Sequence, residues 1–435
     1  MTTQKIKVGI CGLGTVGRGV IALLSEGGDV LSNRVGGTIE LVHVATRTPK
    51  PEVDTLGARD SRDVFDVARD PNVDVLIELI GGTTVAKELV VEALKQGKHV
   101  VTANKALLAD HGDELFALAE SKGVALRFEA AVAGGIPVIE AVKTSLAGNH
   151  VSSVAGIING TGNFILTEMA AKGREFSDVL AEAQALGYAE ADPTFDVDGT
   201  DAAQKLVLLA SLAFGARIDP DAPFKQGVDS VAPADIEYAR ELGYRIKHLG
   251  IAKHENDALQ LRVHPTLIPE AKAIAQVDGV LNAVMINASG VGELLLVGPG
   301  AGSRPTASAV MADVVSLARS IASNEQPSIH SMGVGVSAMS QPVIADINEV
   351  ASAWYLRLDA EDKPGVMASL TQCLSQCGIG IESLIQKPES AALAKVPVIL
   401  MTDEAPTRAI EQAIADIEAL PSVGGPVTCL RVENF

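Results

Sequence analysis

The residues with the most chemical content are a glycine turn, two lysines and a run of carboxylates. Gly12-Leu13-Gly14-Thr15-Val16-Gly17 reads G-x-G-x-x-G, directly after the apolar run 6–11 and ahead of a helical pattern. In that setting Gly12 permits a tight turn, Gly14 lets the backbone approach a pyrophosphate, and Gly17 allows close helix–strand packing. Free N–H groups and the macrodipole at the helix start then favour phosphate, so the motif predicts dinucleotide binding. A turn that merely reverses the chain is the plain alternative. The next strand pattern ends at Thr46-Arg47, where an NAD site usually places a carboxylate for the ribose. Arg47, with Lys50 nearby, instead suits a 2′-phosphate, which favours NADP with NAD as the alternative. An ordinary solvated arginine would look the same. Lys105 follows another strand pattern and falls at the lip of the crevice where parallel sheets bind ligands, although lysines after strands are usually just solvated.

The acidic segment runs from Gly187 to Lys205 and carries Glu190, Asp192, Asp196, Asp198 and Asp201. Asp201 and Lys205 are four apart at the start of a helical pattern and share a face. A calcium loop of the EF-hand kind fails, because from Asp192 its sixth position is Val197 and its twelfth Ala203. A surface ion pair remains an option. Beside a cofactor site, the cluster reads instead as a grip on an ammonium group, with the lysine protonating a carbonyl oxygen while hydride arrives at carbon.

Positioning such groups requires alternating elements, and residues 5–130 supply them. Strand patterns at 6–11, 39–45, 73–80, 99–102 and 124–128 alternate with helical ones near 15–25, 85–96 and 111–122. That rhythm predicts right-handed crossovers and a mostly parallel sheet, hence an α/β class. Further helices are expected over 200–214, 233–249 and from Pro305-Thr306-Ala307-Ser308. Residues 324–349 have no clear period and predict a linker. The tail from 350 to 435 reads β-α-β-β-α-β and is expected to fold separately from the catalytic body.

Composition narrows the classes. Lysines and arginines number 35 against 54 acids, a net charge of −19, and aromatics are 3%, which argues against a nucleic-acid partner. The apolar run 206–216 is too short to span a membrane, and residues 1–5 lead straight into a strand pattern without a signal-peptide core. Four cysteines make no disulfide framework and suit a reducing cytoplasm. A length of 435 residues allows about three domains.

The segment 183–205 resembles the signature of the homoserine dehydrogenases, A-x3-G followed by D-P-x2-D-x2-G-x-D-x3-K. Ala183, Gly187, Asp192-Pro193, Asp196, Gly199, Asp201 and Lys205 all fit it. The likeness extends through Gly12–Gly17, Glu78-Leu79-Ile80-Gly81-Gly82, Ala103-Asn104-Lys105, Ile158-Asn159-Gly160-Thr161 and Pro305-Thr306-Ala307-Ser308. The resemblance implies reduction of L-aspartate 4-semialdehyde to L-homoserine with NAD(P)H, within threonine, methionine and isoleucine biosynthesis. It makes Lys205 the proton donor, and Lys105 a catalytic partner touching cofactor and substrate. Glu190, Asp196 and Asp201 would bind the substrate, while Gly187 and Gly302 would approach the cofactor. It also implies a monovalent cation, typically Na+, on main-chain oxygens of Glu129, Val132, Gly134 and Ile136; a Gly-Pro turn between domains would carry the same residues. Two departures stand out: Gly162-Asn163-Phe164 in place of Thr-Asn-Tyr, and Arg304 where small residues are usual.

The implied organisation is a Rossmann-type domain over 1–135, onto which a helix at 305–322 packs back. An α+β substrate-binding and dimerisation domain would occupy 136–304, and a ferredoxin-like ACT regulatory domain 350–435. ACT modules resemble this tail around Asp362-Lys363-Pro364-Gly365 and bind amino acids between paired copies, so a homo-oligomer (dimer or tetramer) with an L-threonine effector is expected. Two rivals stand against this enzyme. An acyl-enzyme aldehyde dehydrogenase needs a cysteine in the central domain, and Cys11, Cys373, Cys377 and Cys429 all lie elsewhere. An amino-acid sensor would keep the fold but needs an output module, such as a basic helix-turn-helix, that this acidic chain does not show.

Overall fold

The computed structural model describes residues 4–387 and 395–435. It divides into two compact units, Met1–Ile158 with Ala203–Ala222 and Leu281–Pro342, and Asn159–Ala202 with Pro223–Val280 and Val343–Phe435.

In the first unit, β1 (Lys5–Cys11), β2 (Thr38–Ala45), β3 (Arg59–Ser61), β4 (Val75–Glu78), β5 (His99–Thr102) and β6 (Leu126–Arg127) form a parallel sheet in the order β3-β2-β1-β4-β5-β6. The apolar residues of β1, β4 and β5 are buried on both faces, as central parallel strands under helices must be. The helices α1 (Thr15–Val35), α2 (Val64–Arg69), α3 (Thr84–Lys95) and α4 (Lys105–Lys122) supply the crossovers. The strand order reverses between β1 and β4, which is where such sheets open a crevice for ligands. Helix Ser303–Ala322 adds Val310, Val314 and Leu317 to the core of Ile6, Val20 and Ile21. A side chain at Gly19 would meet the Ser303 carbonyl at 2.7 Å, so α1 and that helix approach closely. A separate antiparallel ribbon joins β7 (Val151–Ile157) to strands Leu281–Ala288 and Gly292–Pro299.

In the second unit, strand Tyr244–Glu255 pairs antiparallel with Ala258–Pro269. The expected helix over 233–249 therefore stops early. It spans Pro233–Glu241, and from Tyr244 the alternation of apolar and polar side chains in Tyr-Arg-Ile-Lys belongs to the strand.

The tail has the expected elements, with strands Ala351–Ala360, Ile381–Gln386, Val396–Thr402 and Val423–Val432 and helices Val366–Gln376 and Thr407–Glu418. Its independence is corrected. Strand Val423–Val432 pairs parallel with Ala258–Pro269 through Thr266 to Arg431 and Leu267 to Val432. Ala353, Tyr355, Leu430 and Val432 share one core with Phe164, Ile165 and Tyr238. Asp235, fully buried, accepts hydrogen bonds from Tyr355 Oη at 3.1 Å and Arg357 Nε at 2.5 Å. Nor is 324–349 a loose linker. Glu120 accepts the Val336 N–H at 3.1 Å, Arg217 donates to the Val336 carbonyl at 2.7 Å, and Val343–Ile344 pairs with Ala258–Leu259. The segment is anchored through its main chain, which side-chain periodicity does not report. Among the described residues no helix is long and apolar enough to cross a membrane.

Candidate functional site

The glycine turn sits at the sheet's reversal point. Gly12 has φ +106°, and a Cβ there would collide with the Leu79 carbonyl leaving β4. A Cβ on Gly17 would strike the Gly12 carbonyl, whereas at Gly14 nothing lies within 4 Å. Gly12 and Gly17 are thus required by packing, and Gly14 leaves open room above the helix start. Leu13 is buried in the core and can offer only its main chain, while Thr15 is exposed and Val16 partly so. No acid stands in the first turn of α1, so its dipole faces the open space uncompensated. Ser303 Oγ donates to the Thr15 carbonyl at 2.7 Å, tying the Gly302 loop to the turn. Arg304 pairs with Glu26 on α1 instead of entering this space.

Arg47 is exposed past β2 and makes no hydrogen bond or ion pair among the described residues. Its neighbour is a cation that sequence reading missed: Arg62, beyond β3, donates to the Thr46 carbonyl at 3.2 Å and to Asp60. The β2–β3 pairing brings it there, and no local motif announces it.

Glu78 ends β4 and is fully buried. Its Oε1 accepts the Ile80 and Gly81 N–H groups at 2.8 and 3.3 Å, and its Oε2 accepts Thr102 Oγ1 at 2.6 Å. Burial pushes this carboxyl above its usual range, against those hydrogen bonds. Thr102 Oγ1 in turn accepts the Asn104 N–H at 3.0 Å, and Asn104 caps α4 through the Leu107 N–H at 3.1 Å. The chain of bonds fixes Lys105, the first residue of α4. A lysine at a helix N-terminus opposes the dipole, which marks it as a residue kept for something other than helix stability. Cys11, beneath the turn, is fully buried, and burial followed by the nearby Glu78 and Asp63 holds its thiol far above the usual range, so no nucleophile arises there.

Lys205 lies on helix Thr200–Phe214, half-buried, and its Nζ donates to the Ile158 carbonyl just past β7 at 2.8 Å.

The loop after β6 holds Glu129, Val132, Gly134 and Ile136. Ala133 and Gly134 both take left-handed φ, 56° and 55°, and a Cβ on Gly134 would collide with the Gly300 carbonyl. A left-handed alanine costs about 1 kcal/mol, so the surrounding packing must hold this turn in place. The Glu129 carboxylate is occupied otherwise: it accepts the Ile139 and Glu140 N–H groups, each at 2.8 Å. Burial and then Asp313 push it up to about 7. Asp313 accepts the Glu129 N–H at 2.8 Å, and burial pushes its own carboxyl up to about 6. Among the described residues no group of three His, Cys, Asp or Glu could hold a metal.

In the second unit the five carboxylates separate by task. Asp192 accepts Thr194 Oγ1 at 2.7 Å and Asp198 accepts the Thr200 N–H at 2.8 Å, so both serve local turns. Asp196 and Asp201 each accept from Asn159 Nδ2 at 2.9 Å. Glu190 is exposed, on a loop held by Gln184 through the carbonyls of Glu190 and Ala191. Gly187 stands in an exposed turn after helix Phe176–Ala185. Asn163 donates to the carbonyls of Val277 and Gly279, and Phe164 packs edge-on to Tyr188, so the Gly-Asn-Phe variation serves packing. Asn159 is the residue whose part sequence reading missed; an asparagine directly before a helix start is its signal.

Comparison with known proteins agrees across the chain. The family described as homoserine dehydrogenase matches residues 137–315, and its NAD binding domain matches residues 12–129. Homoserine dehydrogenase of Pseudomonas aeruginosa is 52% identical over 432 residues, covering 99% of this chain and all of that protein. That of Neisseria gonorrhoeae is 45% identical, covering 99% of each. A crystal structure of a homoserine dehydrogenase from Thiobacillus denitrificans superposes with a TM-score of 0.92 at 45% identity, covering 99% of both chains. A hyperthermophilic archaeal homoserine dehydrogenase in complex with NADPH matches 72% of this chain and 97% of its own, with a TM-score of 0.61 at 26% identity.

Proposed function

The chain belongs to the homoserine dehydrogenase family of NAD(P)-dependent oxidoreductases acting on a CH–OH group, and on that premise we propose a mechanism for its interconversion of L-aspartate 4-semialdehyde and L-homoserine. Lys205 donates a proton to the aldehyde oxygen in reduction and removes it from the hydroxyl in oxidation. The observation that carries this assignment is its half-buried Nζ, which donates to the Ile158 carbonyl at 2.8 Å and is thereby held at a fixed place. When bound, the dinucleotide supplies or accepts the hydride. Gly12, Leu13, Gly14, Thr15, Val16 and Gly17 hold its pyrophosphate through main-chain N–H groups, with Gly187 and Gly302 approaching it. Arg47 reads the 2′-phosphate, which makes NADP the preferred cofactor. Lys105 touches both cofactor and substrate. Glu190, Asp196 and Asp201 hold the substrate ammonium.

Carbonyls of Glu129, Val132, Gly134 and Ile136 hold a monovalent cation such as Na+, and the consecutive left-handed residues Ala133 and Gly134 support that cradle. The β-α-β-β-α-β tail acts as an ACT module that senses L-threonine in a cytoplasmic homo-oligomer serving threonine, methionine and isoleucine synthesis. Absorbance at 340 nm with L-homoserine and each cofactor tests the activity. Reduction of NADP in preference to NAD, slowed by threonine, is the expected result. No turnover with either cofactor would return the chain to an amino-acid sensor, and indifference to threonine would leave the tail a structural element.

A further inference from the structure

The geometry points to Asn159 as the positioning residue of the substrate carboxylates, an inference that rests on Asp196 and Asp201 being substrate ligands. Asn159 is 4% exposed at the N-cap of helix Gly160–Lys172. Its Oδ1 accepts the Gly162 N–H at 2.7 Å. A main-chain N–H can only donate, so this bond decides which end of the carboxamide is oxygen and turns the NH2 group to the other side. There the NH2 has two hydrogens and two acceptors, Asp196 Oδ1 and Asp201 Oδ2, each at 2.9 Å. Asp196 is half-buried and Asp201 buried.

Two carboxylates drawn to one donor repel each other. A lysine at this place would cancel one of the charges, and an alanine would leave the acids without a shared anchor. A neutral amide holds both without adding a charge of its own to the cluster. The same side chain fastens that pair to the first turn of helix Gly160–Lys172. The role of Asn159 in this arrangement runs through the two aspartates, which makes it a positioning residue.

The cap and the anchor can be separated, because serine and aspartate both cap helices about as well as asparagine. N159D keeps the Gly162 bond but turns a third carboxylate toward the other two, and N159S keeps a cap too short to reach them. The full chain of each variant is assayed for homoserine KM, kcat, NADP Kd and melting temperature, with Asp196→Asn and Asp201→Asn in parallel. N159D is expected to raise homoserine KM by about tenfold or more, with a smaller rise for N159S, while NADP Kd stays unchanged. Added negative charge should also move the acidic limb of the kcat/KM profile of N159D to higher pH. An unchanged homoserine KM and pH profile in N159D, with raised KM in the two aspartate variants, would reduce Asn159 to a helix cap. Unchanged KM in the aspartate variants would overturn the substrate reading itself and this inference with it. If N159D fails to fold, N159S decides by the same KM criterion.

Discussion

On the proposed reading, the two units bind through opposite materials. In the first, recognition is assigned to main chain: a glycine turn at the sheet's reversal point, a helix start without acids, and a curled loop of carbonyls. In the second it is assigned to side chains, with Asp196 and Asp201 gathered by the carboxamide of Asn159. Main-chain sites tolerate side-chain change as long as backbone geometry survives, whereas a side-chain cluster fails with one substitution. Consecutive residues show the contrast most sharply. Ile158 serves Lys205 through its carbonyl in one unit, and Asn159 serves the aspartates through its side chain in the other.

The largest effect should come from the side chain assigned the proton transfer. Lys205→Ala is expected to lower kcat by about 10²–10⁴ with NADP affinity retained, measured by steady-state kinetics and cofactor titration. A near-normal kcat would move the proton to Lys105 and break the contrast. Next comes the second unit's dependence on its tail. Arg357→Ala removes a partner of the fully buried Asp235 and should cost on the order of 3 kcal/mol in denaturant unfolding. A loss below about 1 kcal/mol, the value of a surface pair, would show that the tail's docking is not held there.

Smaller effects probe the main-chain site from its edges. Arg47→Ala should weaken NADP by about ten- to a hundredfold, the worth of a charge-assisted phosphate contact, and leave NAD binding unchanged. Equal losses for both would assign Arg47 to the loop, and retained NADP binding would move attention to Arg62. The smallest concerns Glu78, whose carboxyl is raised by burial. A raised acid in the folded state contributes stability that is complete below its unfolded value and is lost as pH rises through the folded one. Wild-type melting temperature should therefore fall as pH rises above the ordinary carboxylate range, more steeply than that of Glu78→Gln, whose amide can keep the Ile80 and Thr102 contacts. Parallel slopes would show that Glu78 is not the source of the pH dependence.

The main-chain site was the more legible half in the sequence, because glycine spacing at a strand-to-helix turn has few other uses. The side-chain cluster was legible as acids but not as an arrangement. Nothing in the run from Glu190 to Asp201 separates Asp192 and Asp198, which serve turns, from Asp196 and Asp201, which meet on a residue far back in the chain. Arg62 was hidden for the same reason, since strand pairing and not local spacing places it by Thr46. The tail's elements were readable from alternation. Its union with the middle segment was not, because Tyr355 and Leu430 look alike whether they face their own helices or Phe164. The helix expected over 233–249 ended at Glu241 because one run of residues satisfied both periods and only the partner strand chose between them.

The parallel pairing of Thr266 and Leu267 with Arg431 and Val432 bears on the order of events during synthesis. A ribosome releases the chain from its N-terminus, so strand Ala258–Pro269 emerges long before the strand that lies beside it. Until residues 423–432 are out, the middle segment exposes an open sheet edge and the apolar faces of Phe164, Ile165 and Leu267, surfaces that invite pairing with other chains. The second unit is therefore completed only after translation of its final strand, a late, long-range step of the slow kind. Messages truncated anywhere in the tail should yield a nascent chain that is sticky from its middle, not merely one that has lost its end.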